Sequence, residues 1–425
     1  MLLSIAQQVQ DFTFMALGRA LSLIVRTSEE MTRRPAATRT AWLCALALGV
    51  SSCAGPLVLE RQVIGYDDVA KSLDEKLLLL NIARVDNLEA VHFTSTSSIA
   101  ATFNWTTSLA SGQLNTAPNT DFFNIAIGAS ASENPTFSII PISGQQFTER
   151  LATPFDGKVF ESLVFQGGRI SQVMRTMASG IEVQTPAGSF IRFIENDPQR
   201  PAEYEEFRRI ADHLQWLNDH RKLFVRSLVF RETLIRDFKG VPSAGDINNG
   251  FTLGLNWRQK TDGSYELTRL DAGRNVVTNF DPMALSDQQR FEFNERISRN
   301  PRGFVYLEVR PDGPGGDFPI RGAIKMRSML QILRFLAHGI HVAPEFDVAP
   351  DPRTGEVAAN PAATLKINVT DSAPDSSVPF IYFRGRYYSV NDSDWDRTSF
   401  FLLNILFQST VGKVESVAIP VTIAK

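Results

Sequence analysis

The chain has 425 residues, 43% of them hydrophobic, and its 43 lysines and arginines against 46 aspartates and glutamates leave a net charge of −3. Beyond residue 52 positive charge is nowhere concentrated, which disfavours a nucleic-acid partner. The only two cysteines are Cys44 and Cys53, so everything after them must fold without disulfides, thiolate nucleophiles or cysteine metal ligands.

Reading from Met31, Arg33, Arg34 and Arg39 form a basic segment, Ala41–Val50 an apolar run, and Val50-Ser51-Ser52-Cys53 follows at once. This is the shape of a secretory signal. A run of about 10 apolar residues is too short to span a bilayer as a helix, which takes roughly 20, and no later segment reaches that length. A plain signal peptide or a buried helix containing a cysteine are the alternatives. The order of residues resembles the lipobox of bacterial lipoprotein precursors. That resemblance implies that residues 1–52 are a signal or leader, that Cys53 is lipidated on its sulfur and its freed amine, and that 53–65 form a tether. Two or three acyl chains, at about 0.8 kcal/mol per buried methylene, hold a protein on a membrane almost permanently. Ala54 is not acidic, which by the sorting rule of enteric bacteria implies the outer membrane, facing the periplasm. Because a complete signal begins at Met31, translation is expected to start there; the other reading of residues 1–30 is a helical leader with Leu2, Ile5, Val9 and Phe12 along one side.

Past the tether, 66–84 reads as an amphipathic helix with Val69, Leu73, Leu77 and Leu80 on one face, widened by Leu78, Leu79 and Ile82. From Ala90 to Ser132 the only charged residue is Asp121. Ile99, Ala101, Phe103, Trp105, Thr107 and Leu109 alternate with small or polar residues, as do Phe123, Ile125, Ile127, Ala129 and Ala131, around a segment rich in Gly, Asn and Pro. The pattern predicts a β-hairpin over 99–131 with strands of about 10 residues. Phe137–Ile142 is expected as a separate strand. Helices are expected over 145–177, interrupted at Gly167-Gly168, and from Pro201 to Asp219. Phe251, Leu253, Leu255 and Trp257 read as a strand returning through Asp262-Gly263 to Tyr265 and Leu267. Further strands are expected at 303–310, 363–369, 379–383, 387–390 and 417–423, with helices at Met329–His338, stopped by Gly339, and Trp395–Gln408.

Clustered rather than alternating strands and helices make the class α+β, with antiparallel sheets, packed helices and one long charge-poor hairpin. Gly240, Pro242, Gly245 and Gly250 suggest a division into an N-terminal domain, 66–245, and a C-terminal domain, 246–425. At 137–154 and 383–407 the chain resembles uncharacterised bacterial lipoproteins; that resemblance implies no activity and carries over no site residues.

No constellation for catalysis, a cofactor or a metal emerges. His338 and His341 beside Glu345 could be drawn as a zinc site, but a helix broken at Gly339 would leave the rings unaligned. His213 and His220 are expected on solvated surface. Adjacent acids such as Asp67-Asp68, Asp74-Glu75 and Glu205-Glu206 diverge on a helix, whereas acid–base work needs convergent groups. The loop Asp312–Asp317 is expected as a flexible connection. The leading expectation is therefore a lipid-anchored envelope protein that binds or scaffolds other envelope proteins or itself. The alternatives are a subunit of an oligomeric outer-membrane export pore that contributes its hairpin, and a hydrolase with a dispersed active site. Against insertion of the hairpin, Phe103, Trp105, Phe122 and Phe123 are read as aromatics without matching sets at the other ends.

Overall fold

The computed structural model describes residues 63–114, 122–374 and 378–411, and within 95–141 the backbone alone. The lipobox with Cys53, the hairpin tip and the strand expected at 417–423 lie outside the described residues. The described residues from 72 onward belong to one compact unit; of the unit before it, 63–71 are helical.

Helix α1 covers 63–86. Its buried stripe is Leu78, Leu79, Ile82 and Ala83, while Val69 and Leu73 of the expected face are exposed; two overlapping apolar stripes compete here, and packing selects the one with more large residues near the helix end. Buried Asn81 donates to the carbonyls of Leu77 and His92 and accepts from the His92 amide at 2.7 Å. That polar clamp fixes the chain immediately before the first strand.

The hairpin is far longer than the alternation predicts. Strand β1, Phe93–Leu114, has 22 residues and β2, Phe122–Ile142, has 21. Phe137–Ile142 is not a separate strand but the root of β2, paired with Phe93–Ile99. The register slips between Thr96 and Ser98, a bulge of the kind that bends and twists a ribbon. Below it, Phe93 and Ile142 enter the core, where Phe93 stacks on Phe407 at 4.5 Å between ring centroids.

The main sheet has seven strands: β3 (Ala178–Gln184), β4 (Phe190–Glu195), β5 (Phe224–Phe238), β6 (Leu255–Gln259), β7 (Tyr265–Thr278), β8 (Phe304–Val309) and β9 (Ile320–Met326). The spatial order is β4-β3-β9-β8-β7-β5 with β6 also on β7, and every pairing is antiparallel except β7 with β8. The α+β class follows. Neighbouring residues alternate between two cores, as a pleated strand requires. Val277, Val305 and Leu307 join the larger one, while Val276 and Tyr306 join the smaller.

Around the sheet lie α2 (Gln145–Ala152), α3 (Gly157–Phe165), α4 (Ile170–Met177), α5 (Pro201–Asp219), α6 (Ala244–Thr252), α7 (Asp287–Ile297), α8 (Met329–His341) and α9 (Asp394–Val411). The larger core takes Met174, Phe207, Leu214, Leu333 and Leu403 from these helices, and α7 supplies Phe293 and Ile297 to the smaller. A small sheet, β10 (Ile367–Thr370), β11 (Phe380–Phe383) and β12 (Arg386–Val390), has the order β10-β12-β11.

Two local expectations are corrected. Phe251 lies in the last turn of α6 and Leu253 caps that helix, neither in a strand, because Ser243 and Asp246 form a reciprocal capping box that starts a helix. Helix α8 also runs through Gly339 to His341: glycine costs a helix only about 1 kcal/mol, and buried Leu333, Leu336 and Ala337 hold that helix down. The division expected near residue 245 falls at the start of α6, and the main sheet draws strands from both sides of it.

Candidate interaction surface

Three arginines enter the interior. Arg175 on α4 and Arg208 on α5 are 0% exposed and Arg327, between β9 and α8, is 5% exposed. Arg175 donates to the carbonyls of Pro361 and Ala362 at 2.9 and 2.7 Å and to Thr364 Oγ1, with Glu345 3.7 Å away. Arg208 donates to the same two carbonyls, to the Tyr204 hydroxyl and to Asn360. Glu345 accepts from Tyr204 and from Thr364 at 2.7 Å. Arg327 donates to the carbonyls of Arg175, Thr176 and Asn196 and lies over the Phe335 ring. The guanidinium fork suits this work, since it offers several donors in fixed geometry. Between α8 and β10 a long segment without regular structure thereby has its backbone acceptors satisfied from the core, as burial demands.

Burial shifts the ionisable groups here. Desolvation raises Asp212 to about 6 against the opposing pull of Arg208 and Arg175, and lowers Arg327 to about 9 with Glu345 opposing. Arg175 is lowered by the same cause, with Glu345 opposing. Tyr204 is raised, first by burial and then by the Glu345 charge.

The histidines do not assemble a site. His213 is buried, contrary to its expected solvated position. Its Nε2 lies 3.0 Å from the Gly315 carbonyl and its Nδ1 3.1 Å from Thr354 Oγ1. A carbonyl can only accept, so Nε2 carries the proton and Nδ1 accepts from the threonine. Burial lowers its pKa, with the Gly315 hydrogen bond opposing, which keeps the ring neutral. The loop Asp312–Asp317 is thus held down rather than free, through His213 and through Asn279, which donates to the Arg310 and Pro314 carbonyls. At Gly315, φ is +70° and a Cβ would stand 2.6 Å from Leu217, so glycine is required there. His338 and His341 share α8, but Glu345 is occupied by Tyr204, Thr364 and Arg175, and no metal-binding cluster is found among the described residues. Glu205 and Glu206 diverge as expected, pairing with Arg209 and Arg192.

A cleft of about 330 Å³ opens beside Arg327, lined by Ser179, Glu195, Asp197, Lys325, Gln331 and His338. Glu195 is already paired with Arg200, and Lys325 lies over the Phe193 ring. Another of about 390 Å³ is bounded by Asp156, Lys158, Arg274 and Arg302; Arg274 is tied to the carbonyls of Ser298 and Asn300. Neither brings a nucleophile, a base and an orienting group together.

The hairpin differs from all of this. Strand β1 pairs with β2, and neither joins a third strand among the described residues. At about 3.3 Å per residue, strands of this length make a ribbon roughly 70 Å long. Above the bulge the register couples odd positions to odd, including Trp105 to Ala131, Leu109 to Ile127 and Gln113 to Phe123. Directly opposed residues of an antiparallel pair share a face, so both apolar series of the sequence fall on one side. The other side carries Asn104, Thr106, Ser108, Gly128, Ser130 and Ser132. No protein-family model, curated protein or solved structure matches this chain.

Composition identifies the hairpin from sequence; its length and register do not follow from it. The buried arginines went unnoticed. Their signal is an arginine set within an apolar stripe, as Arg175 is between Met174 and Met177, and Arg208 between Phe207 and Ile210.

Proposed function

We propose that this chain is a lipid-anchored subunit of the bacterial cell envelope, fastened through Cys53 to the periplasmic side of the outer membrane, and that it works by binding rather than catalysis. The carrying observation is the ribbon of 22 and 21 residues with no third strand among the described residues. A lone two-stranded ribbon is marginal in water, and a long unpaired edge is a template for another chain. A ribbon of this length whose strands carry one charged residue, Glu133, is best understood as one half of an interface that another chain completes. The ionisable groups of the body support the same reading, since Arg175, Arg208, Glu345 and His213 are committed to holding loops in place.

Crosslinking in intact cells tests it. A photoreactive residue at hairpin positions is expected to capture one defined partner, whether another envelope protein or a second copy. Replacing 98–138 by a short turn is expected to abolish capture from a reporter on the body, and mass spectrometry is expected to find an acylated Cys53. A soluble product with a free thiol at 53, or partners unchanged by the deletion, would overturn the proposal.

A further inference from the structure

The docking role of the hairpin leaves its partner open, and the register narrows it. Eleven consecutive rungs, from Asn104 opposite Ser132 to Leu114 opposite Phe122, contain no charged residue. Acidic residues bracket them: Glu133, opposite Phe103, stands one rung below, and Asp121 belongs to the connecting segment just beyond Phe122. A strand crossing a bilayer needs about 9–11 residues at a tilt near 45°. Eleven rungs at roughly 3.3 Å each, tilted by about 40°, rise about 28 Å, which matches the hydrocarbon thickness.

The register also revises the aromatic pattern. On one face Phe103 and Trp105 lie at the root end of this band and Phe123 at its tip end, while Phe122 falls on the opposite face at the tip. Aromatics therefore mark both ends of the uncharged stretch, as girdles do at the two interfaces of a membrane barrel. Between them one face carries Leu109, Ile125 and Ile127 among Thr107, Ser111 and Gln113, while the other holds small or neutral polar residues and alanines up to the last rung, where Leu114 stands opposite Phe122. That is the division between a lipid-facing and a water-facing surface.

Taking the docking reading as given, we infer that the partner is the same hairpin from further copies of this chain, joined edge to edge into a closed barrel that crosses the outer membrane. Lipid tolerates no unpaired strand edge, and one hairpin has two. A copy of the same chain offers an edge of equal length with its uncharged band at the same depth, a match that an unrelated strand would have to reproduce. Closed barrels of this kind have at least about eight strands, hence about four copies or more. The face lined by Asn104, Thr106, Ser108 and Ser130 would line the lumen.

The test uses purified, lipidated full-length protein incorporated into vesicles of phosphatidylethanolamine and phosphatidylglycerol. Expected results are oligomers that resist detergent, stepwise ionic conductance, and disulfides between a Thr106→Cys chain and a Ser130→Cys chain only when the two are mixed. Leu109→Arg, in the central rung on the apolar face, is expected to lower the number of conducting units at least tenfold. Ser108→Arg, one residue away on the opposite face, is expected to keep conductance and shift its selectivity toward anions. Monomers without conductance would overturn the inference, as would equal effects of the two arginines. In either case, hairpin-dependent capture of another envelope protein in cells would leave the docking role standing; loss of that capture too would remove both.

Discussion

The irregular segment between α8 and β10 and the long hairpin invert the usual association of regular structure with rigidity. The irregular segment has no strand or helix, yet Arg175 and Arg208 tie it to two helices through the carbonyls of Pro361 and Ala362, and its own Asn360 donates to Asp212. The hairpin has an almost unbroken ladder over its whole length, yet it joins the described body at Phe93 and Ile142. Backbone pairing makes a segment regular; burial against a third element makes it stable.

Removing the fork that holds the irregular segment should have the largest effect. Arg175→Ala leaves Glu345 buried beside fewer donors and the carbonyls of Pro361 and Ala362 with Arg208 as their remaining donor, a loss of about 3–5 kcal/mol for a broken buried pair, readable as a lowered urea midpoint. A loss below about 1 kcal/mol would mean that the segment is held by other means.

The pH dependence sharpens the same contrast. Asp212 has a folded pKa of about 6 against an ordinary value of 3.8, so the folded state binds its proton more tightly. Its contribution is complete below about pH 4 and declines as pH rises to about 6. Relative to Asp212→Asn, wild type should lose roughly 2–3 kcal/mol across that window, at about 1.4 kcal/mol per pKa unit. His213 acts in the opposite sense: its lowered folded pKa gives stability that is present above its unfolded value and lost as pH falls from there through the folded value. His213→Gln should therefore flatten a denaturation series on the acid side of about pH 6.5, while Asp212→Asn flattens the window between about pH 4 and 6.

A smaller change is expected at the start of α8. Ser328→Ala removes a capping box shared with Gln331 and should cost about 1 kcal/mol. Smallest of all should be exchange of residues 98–138 for a short turn, which stays within about 0.5 kcal/mol, the range of surface changes. A marked fall in the body's thermal midpoint on that exchange would erase the distinction between the two regions.

Much of this architecture was legible. The α5 stripe of Tyr204, Phe207, Ile210, Leu214 and Leu217 is buried as its spacing predicts, and the break at Gly167-Gly168 falls where expected, although a second break at 153–156, around Pro154, divides α2 from α3. Failures occurred where two local signals overlapped. Alternation at Phe251–Trp257 spans a helix end and a strand, and capping by Ser243 decided the outcome. Gly339 resembled a stop, but packing on both sides carried α8 past it.

What the amino-acid order determined alone was many of the local elements, the scarcity of charge along the hairpin and the helix caps, because each depends on neighbours a few positions apart. Only the tertiary structure decided that Arg175 reaches Ala362, 187 positions away. It alone also decided that β2 continues to Ile142 and that Trp105 stands opposite Ala131. Register and burial depend on which distant segments meet, and a side chain's local pattern holds no record of the partner that will cover it.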